Sequence, residues 1–153
     1  MKKLKNLMVR SFSPESIGKV HYFAYNSKNK PPSTNLKPKS LRIAIITEEY
    51  IYQGLDYEAN LIVLTKTNYE TVFKYLNIDF VLITSAMVSI DGSWRLPLDN
   101  SVLKLVTDCA DRYGIPSVFW FTKGPRYFEY FLDVAKICKF VYAADEATLQ
   151  KLT

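Results

Sequence analysis

The chain has 153 residues, a net charge of +5, 48% hydrophobic residues, 11 Tyr and 9 Phe. That supports one domain with a well-filled core plus a tail, and no apolar run nears the roughly 20 residues of a bilayer span. One His and two Cys exclude a Cys/His zinc motif or a disulfide framework, and fit reduced thiols in a cytoplasmic protein.

Charge divides the chain at residue 40. Residues 1–40 carry nine Lys or Arg and a single acid, Glu15, for a balance of +8, whereas residues 41–153 sum to −3. The basic character therefore belongs to the N-terminal segment, where it suits contact with an anionic surface or nucleic acid, or simply a solvated leader. No apolar block follows the first lysines, so no secretory signal is expected. Met1–Arg10 reads as a short helical turn and Val20–Tyr25 as an extended segment docking on the domain. Ser27–Ser40, with Pro31, Pro32 and Pro38, reads as a linker. His21 has no companion residues that would make it a base or a ligand.

Leu41–Thr47 is the first strand, apolar after Arg42, and it runs into Glu48-Glu49-Tyr50. Ile51–Asn60 follows as an irregular or short helical link. It holds one glycine, Gly54, where a dinucleotide fingerprint needs three. A dinucleotide site and a P-loop are thereby excluded, and no cofactor or metal is expected. Leu61–Leu64 is a second strand. Thr67 is placed to cap a helix over Asn68–Leu76, with Glu70 completing a capping box. Asp79–Thr84 is the third strand, followed by a loop, Ser85–Pro97, with a turn at Asp91-Gly92. Asp99 or Asn100 caps a helix to Tyr113 that turns Val102, Leu103, Leu105, Val106, Cys109 and Ala110 inward. Gly114 suits the left-handed end of that helix. Pro116 opens the fourth strand, Ser117–Phe121. Gly124-Pro125 starts the next helix, with Phe128, Phe131, Leu132 and Ala135 on one face. Lys139–Ala143 is the fifth strand, and Asp145 caps a last helix, Glu146–Leu152.

Strands alternating with capped amphipathic helices imply an α/β fold: a Rossmann-like three-layer α/β/α domain over 41–153, with a five-stranded parallel sheet and residues 1–40 largely outside its core. Ligands of such sheets bind at the carboxyl ends of the strands. There the loops after strands one, three and four bring together Tyr50, Ser85, Trp94, Thr122 and Lys123 as candidate substrate-binding residues. An aromatic face, two hydroxyls and a cation suit a sugar or a phosphorylated acceptor. The plainer alternatives are a packing role for Trp94, a strand aromatic at Trp120 and a solvated Lys123. Glu48 and Glu49 are adjacent and point apart, so they do not form the carboxylate pair of a glycosidase.

Several of these stretches resemble, in order, the N-terminal domain of the CgeB-like (spore maturation protein type) glycosyltransferases, a GT-B-type family. The similar segments are Ile43-Ala44-Ile45-Ile46-Thr47-Glu48-Glu49, Tyr57-Glu58-Ala59-Asn60-Leu61, Ile78–Ser85, Gly92-Ser93-Trp94 and Val141–Asp145. The most specific is Ile115-Pro116-Ser117-Val118-Phe119-Trp120 through Gly124-Pro125, with Tyr127-Phe128, Phe131 and Ala135. The resemblance covers about residues 41–152. It implies the acceptor-side half of a transferase whose nucleotide-sugar donor binds a second domain. The chain ends one helix after its fifth strand, as a first domain of something longer would. It departs from the family where acids follow the strand tryptophan: here stand Phe121-Thr122-Lys123-Gly124. Thr84 likewise replaces a strand-end Glu, and Met87 a Trp. By itself this half is expected to transfer no sugar. The alternative is a non-catalytic interaction module that keeps the fold. A phosphate-accepting receiver is disfavoured, because the third strand ends in Thr84-Ser85 and not in an aspartate.

Overall fold

The structure, a computed structural model, describes residues 41–152 in full and two N-terminal strands by their backbone. In chain order the elements are β1 (Leu7–Ser11), β2 (Val20–Phe23), β3 (Arg42–Ile46), α1 (Glu49–Leu55), β4 (Asn60–Val63), α2 (Tyr69–Tyr75), β5 (Phe80–Thr84), α3 (Asn100–Arg112), β6 (Ser117–Phe121), α4 (Phe128–Ile137), β7 (Phe140–Ala143) and α5 (Glu146–Leu152).

Five strands, in the order β7-β6-β5-β3-β4, run parallel, giving the Rossmann-like sheet expected from the alternation of elements. Leu82 faces Val118, and Ile83 faces Phe119, across the β5–β6 ladder. An antiparallel hairpin extends the β7 edge: β1 pairs with β7, and β2 pairs with β1. Leu7–Ser11 is therefore a strand where the sequence suggested a helical turn. Its ladder partner lies more than a hundred residues away at Phe140–Tyr142, out of reach of local periodicity. Val20–Phe23 falls inside the segment expected to be extended. The Pro-rich linker and the proposed anionic contacts of residues 1–40 otherwise lie outside the described residues.

Side chains alternate across the parallel strands and separate two cores. On one face Ala44, Ile46, Val81, Ile83, Phe119, Phe121 and Val141 pack with α2, α3 and α4. Phe119 meets Phe121 edge-on at 4.8 Å between centroids, and Phe121 stacks on Phe128 at 5.4 Å. The other face carries a smaller cluster of Ile43, Ile45, Ala59 and Leu82, with Tyr52 and Leu55 of α1 against it. In α3 the inward stripe is Leu103, Val106, Cys109 and Ala110. Leu105, expected inward, is 58% exposed, because 100° per residue carries it off that stripe.

The helix ends show which local signals held. Gly114 has φ +69, and the Gly114 and Ile115 amides donate to the Asp111 and Ala110 carbonyls, the double bond of a Schellman ending. Asp145 caps α5: its Oδ1 accepts the Thr148 amide at 2.7 Å, and its Oδ2 accepts the Thr148 hydroxyl at 2.8 Å. The capping box at Thr67 does not form. Asn68 Oδ1 accepts the Thr65 amide at 2.8 Å, Asn68 Nδ2 donates to the Val63 carbonyl, and the Thr67 hydroxyl lies 3.3 Å from Thr65 Oγ1. A polar turn between β4 and α2 has taken up the groups a cap would use.

Candidate functional site

The strand order reverses beside β3: α1 carries the chain outward to β4, and α2 returns it to β5 on the opposite side. A crevice at the carboxyl ends of β3 and β5 is the expected ligand position of such a sheet. Thr47 and Glu48 end β3, Thr84 and Ser85 end β5, and Thr122 and Lys123 end β6.

Two layers of polar groups occupy these ends. The inner layer is buried. Thr47 Oγ1 and Thr84 Oγ1 lie 2.7 Å apart, one hydroxyl donating to the other. Ser85 is wholly buried, and its Oγ accepts the Thr122 and Lys123 amides, each at 2.9 Å. With both lone pairs engaged, the Ser85 hydroxyl proton goes to Thr122 Oγ1 at 3.0 Å. Ser85 is thus a clip that fixes the turn after β6, and it has no group left for a ligand.

The outer layer reaches solvent. Lys123 Nζ sits 2.8 Å from Glu48 Oε1 and 3.1 Å from Oε2, with the two side chains 20% and 19% exposed. Glu48 Oε1 also lies 3.4 Å from the Met87 amide. Lys123, offered by the sequence as a ligand-binding cation or a solvated one, is paired with Glu48 here. Thr122 is half-buried beside it, and Tyr50, one residue into α1, is 55% exposed. Glu48 is a candidate from the sequence by its position at a strand end alone, and the sequence does not show its partner, which is Lys123 and not Glu49, its neighbour in the chain.

Trp94 is not at the mouth. It is fully buried, its Nε1 donates to the Leu64 carbonyl at 2.8 Å, and Lys66 Nζ lies 5.6 Å over its ring. Of the two sequence readings, the packing plug is the one the geometry gives. The loop carrying it folds over β3 and β4: the Ile90 amide donates to the Thr47 carbonyl at 2.8 Å. Ser89 and Asp91 hold the loop closed. Ser89 Oγ donates to Asp91 Oδ1 at 2.6 Å and accepts the Trp94 amide at 3.0 Å. Partial burial would raise the Asp91 carboxyl, but hydrogen bonding from the Ser89 hydroxyl and the Ser93 backbone outweighs it and holds the group below the usual range. Gly92 supplies the positive φ, +73, that the Asp91-Gly92 turn requires.

The structure therefore brings together Tyr50, Thr122 and Lys123 with Glu48 at one edge, and withdraws Ser85 and Trp94 into the fold. Among the described residues no group of three or more His, Cys, Asp or Glu could hold a metal ion, and no helix is long and apolar enough to cross a membrane. No protein-family model matches the chain, and no curated protein or solved structure does so either.

Proposed function

We propose that this chain is the N-terminal, acceptor-side domain of a GT-B-type glycosyltransferase, similar to the CgeB-like family, and that its carboxyl edge receives the hydroxyls of an acceptor. The observation that carries the reading is the Glu48–Lys123 pair at the strand-order reversal, about one-fifth exposed to solvent. A carboxylate and an ammonium side by side offer acceptors and donors to a polyol without net charge. The pairing argues for a neutral sugar over a phosphorylated one, since a phosphate would have to displace Glu48 from Lys123. Tyr50 supplies the exposed aromatic surface that Trp94 does not. The donor nucleotide-sugar would belong to a second domain, so the 153-residue chain alone turns over none.

Amide chemical-shift mapping with candidate glycans and sugar phosphates tests the site. Shifts at Glu48, Tyr50, Met87 and 121–124 with neutral glycans support it. Shifts confined to residues 1–40 and lost in salt make the basic segment the binding element. Nucleotide-sugar turnover by the purified chain, above a heat-killed control, overturns the half-enzyme reading. A second reading, a non-catalytic interaction module, is favoured by one feature: Met87, Val88 and Ile90 leave apolar surface exposed on the loop beside Glu48.

A further inference from the structure

The sheet has one apolar face that its described helices leave partly open. Val118 and Trp120 of β6 lie on the α1 side and pack against the Ile43–Ile45–Leu82 cluster. Phe140 and Tyr142 stand opposite them in register, Val118 to Phe140 and Trp120 to Tyr142, and all four are only half-buried. Val141 and Ala143, the alternate positions of β7, are buried on the other side with α3, α4 and α5. Among the described residues α1 is the helix on this face. As the link from β3 to β4 it lies at the far end from β7. The Trp120 indole N–H is shielded from solvent and has no acceptor among the described residues. A buried donor of this kind destabilises the fold until an acceptor is supplied.

The topology says what reaches this face. β1 is antiparallel to β7 and β2 antiparallel to β1, so β2 runs parallel to β3. Residues 24–41 therefore join the carboxyl end of β2 to the amino end of β3, a crossover between parallel strands of one sheet. Such crossovers are right-handed in about 98% of cases. The others here obey the rule: α2, α3 and α4 move the chain toward β7 on one face, and α1 moves it the opposite way on the other. From β2 to β3 the direction is that of β3 to β4. For this crossover the same hand calls for the α1 face, above β7 and β6.

We propose that the segment between β2 and β3 is the cover of this face, laid across Val118, Trp120, Phe140 and Tyr142. Its length suffices: five strand spacings of about 4.8 Å need about 24 Å laterally, and an extended chain gives about 3.1 Å per residue. Its composition suits aromatic rings: it holds Pro31, Pro32, Pro38 and several lysines, and proline rings and lysine stems are side chains that pack well on such surfaces. A backbone carbonyl from it would satisfy Trp120 Nε1. The inference is independent of any activity at the carboxyl edge.

The test is a nitroxide label on the full chain at Ser33→Cys, with Asn35→Cys as a second variant. Cys109 and Cys138 are buried and stay unlabelled in the native protein. The two indole N–H signals report different places, Trp120 on the open face and Trp94 in the other core. The expected result is loss of the Trp120 indole signal and broadening at β6 and β7, with Trp94 and the amides of α3 and α4 retained. Broadening of α3 and α4 in both variants, or of neither face, overturns the proposal.

Discussion

Glu48 and Lys123 stand 75 residues apart in the chain, yet Nζ lies 2.8 Å from one carboxylate oxygen and 3.1 Å from the other. Their strands, β3 and β6, flank β5, so the pair bridges over the end of the strand between them. The two charges are partly screened and cost partial desolvation, so the pair contributes little to stability and leaves its polar atoms usable. A double-mutant cycle of Glu48→Gln and Lys123→Met should give a coupling of about 1 kcal/mol or less by urea midpoints. A coupling of about 3 kcal/mol or more would mark a structural pair closed to ligands.

β6 is the middle strand of seven, and its two faces should respond differently. Phe119 is wholly buried between Phe121 and Phe131, so Phe119→Ala should cost about 3–5 kcal/mol. Val118, half-buried on the more open face, should cost only about 1 kcal/mol on replacement by Ala. Equal midpoint shifts for the two variants would contradict this asymmetry.

Trp94→Phe keeps an aromatic ring but leaves the Leu64 carbonyl without its donor at the end of β4. A loss of about 2–4 kcal/mol is expected from the orphaned acceptor and the missing ring volume together. Glycan affinity should be unchanged in the folded fraction. A variant of undiminished stability that binds glycans more weakly would restore Trp94 as a ligand surface.

Asp99 sets an acid limit. Partial burial pushes its carboxyl up, but the Lys66 ammonium at 2.8 Å and the Arg95 amide at 2.6 Å prevail and hold it below the usual range. A carboxyl lowered on folding contributes stability above its unfolded value of about 3.9 and loses it as pH falls through the folded value. Asp91 is lowered as well and acts in the same direction. Urea midpoints taken from pH 6 to pH 2 should fall below about pH 4, and fall less steeply in Asp99→Asn. Parallel curves for the two proteins would remove Asp99 from the account.

What could be read from the sequence is what short-range chemistry controls. Ser117–Phe121 is mostly apolar because the middle strand of the sheet meets apolar clusters on each of its faces, and Gly114 and Asp145 mark helix ends through their own backbone and side-chain chemistry. Together these signals specify the parallel α/β sheet and the edge where its loops gather. They fail where a side chain has a choice of partners. Thr67 had the right spacing for a cap, but its hydroxyl and the Asn68 side chain turn back into the loop, and Trp94 carried the same loop signal whether it faced solvent or the core.

Tertiary structure alone decided the rest, because each deciding contact joins residues far apart in the chain. Ser85 became a clip when the end of β6 arrived 37 residues later to present two amides. Glu48 acquired Lys123, and with it a neutral site in place of a free cation. Leu7–Ser11 became a strand once β7 offered an unpaired edge. Sequence periodicity fixes which face of an element is apolar. Which partner meets that face, and which polar groups are used up in the meeting, is set by chain crossings and strand order.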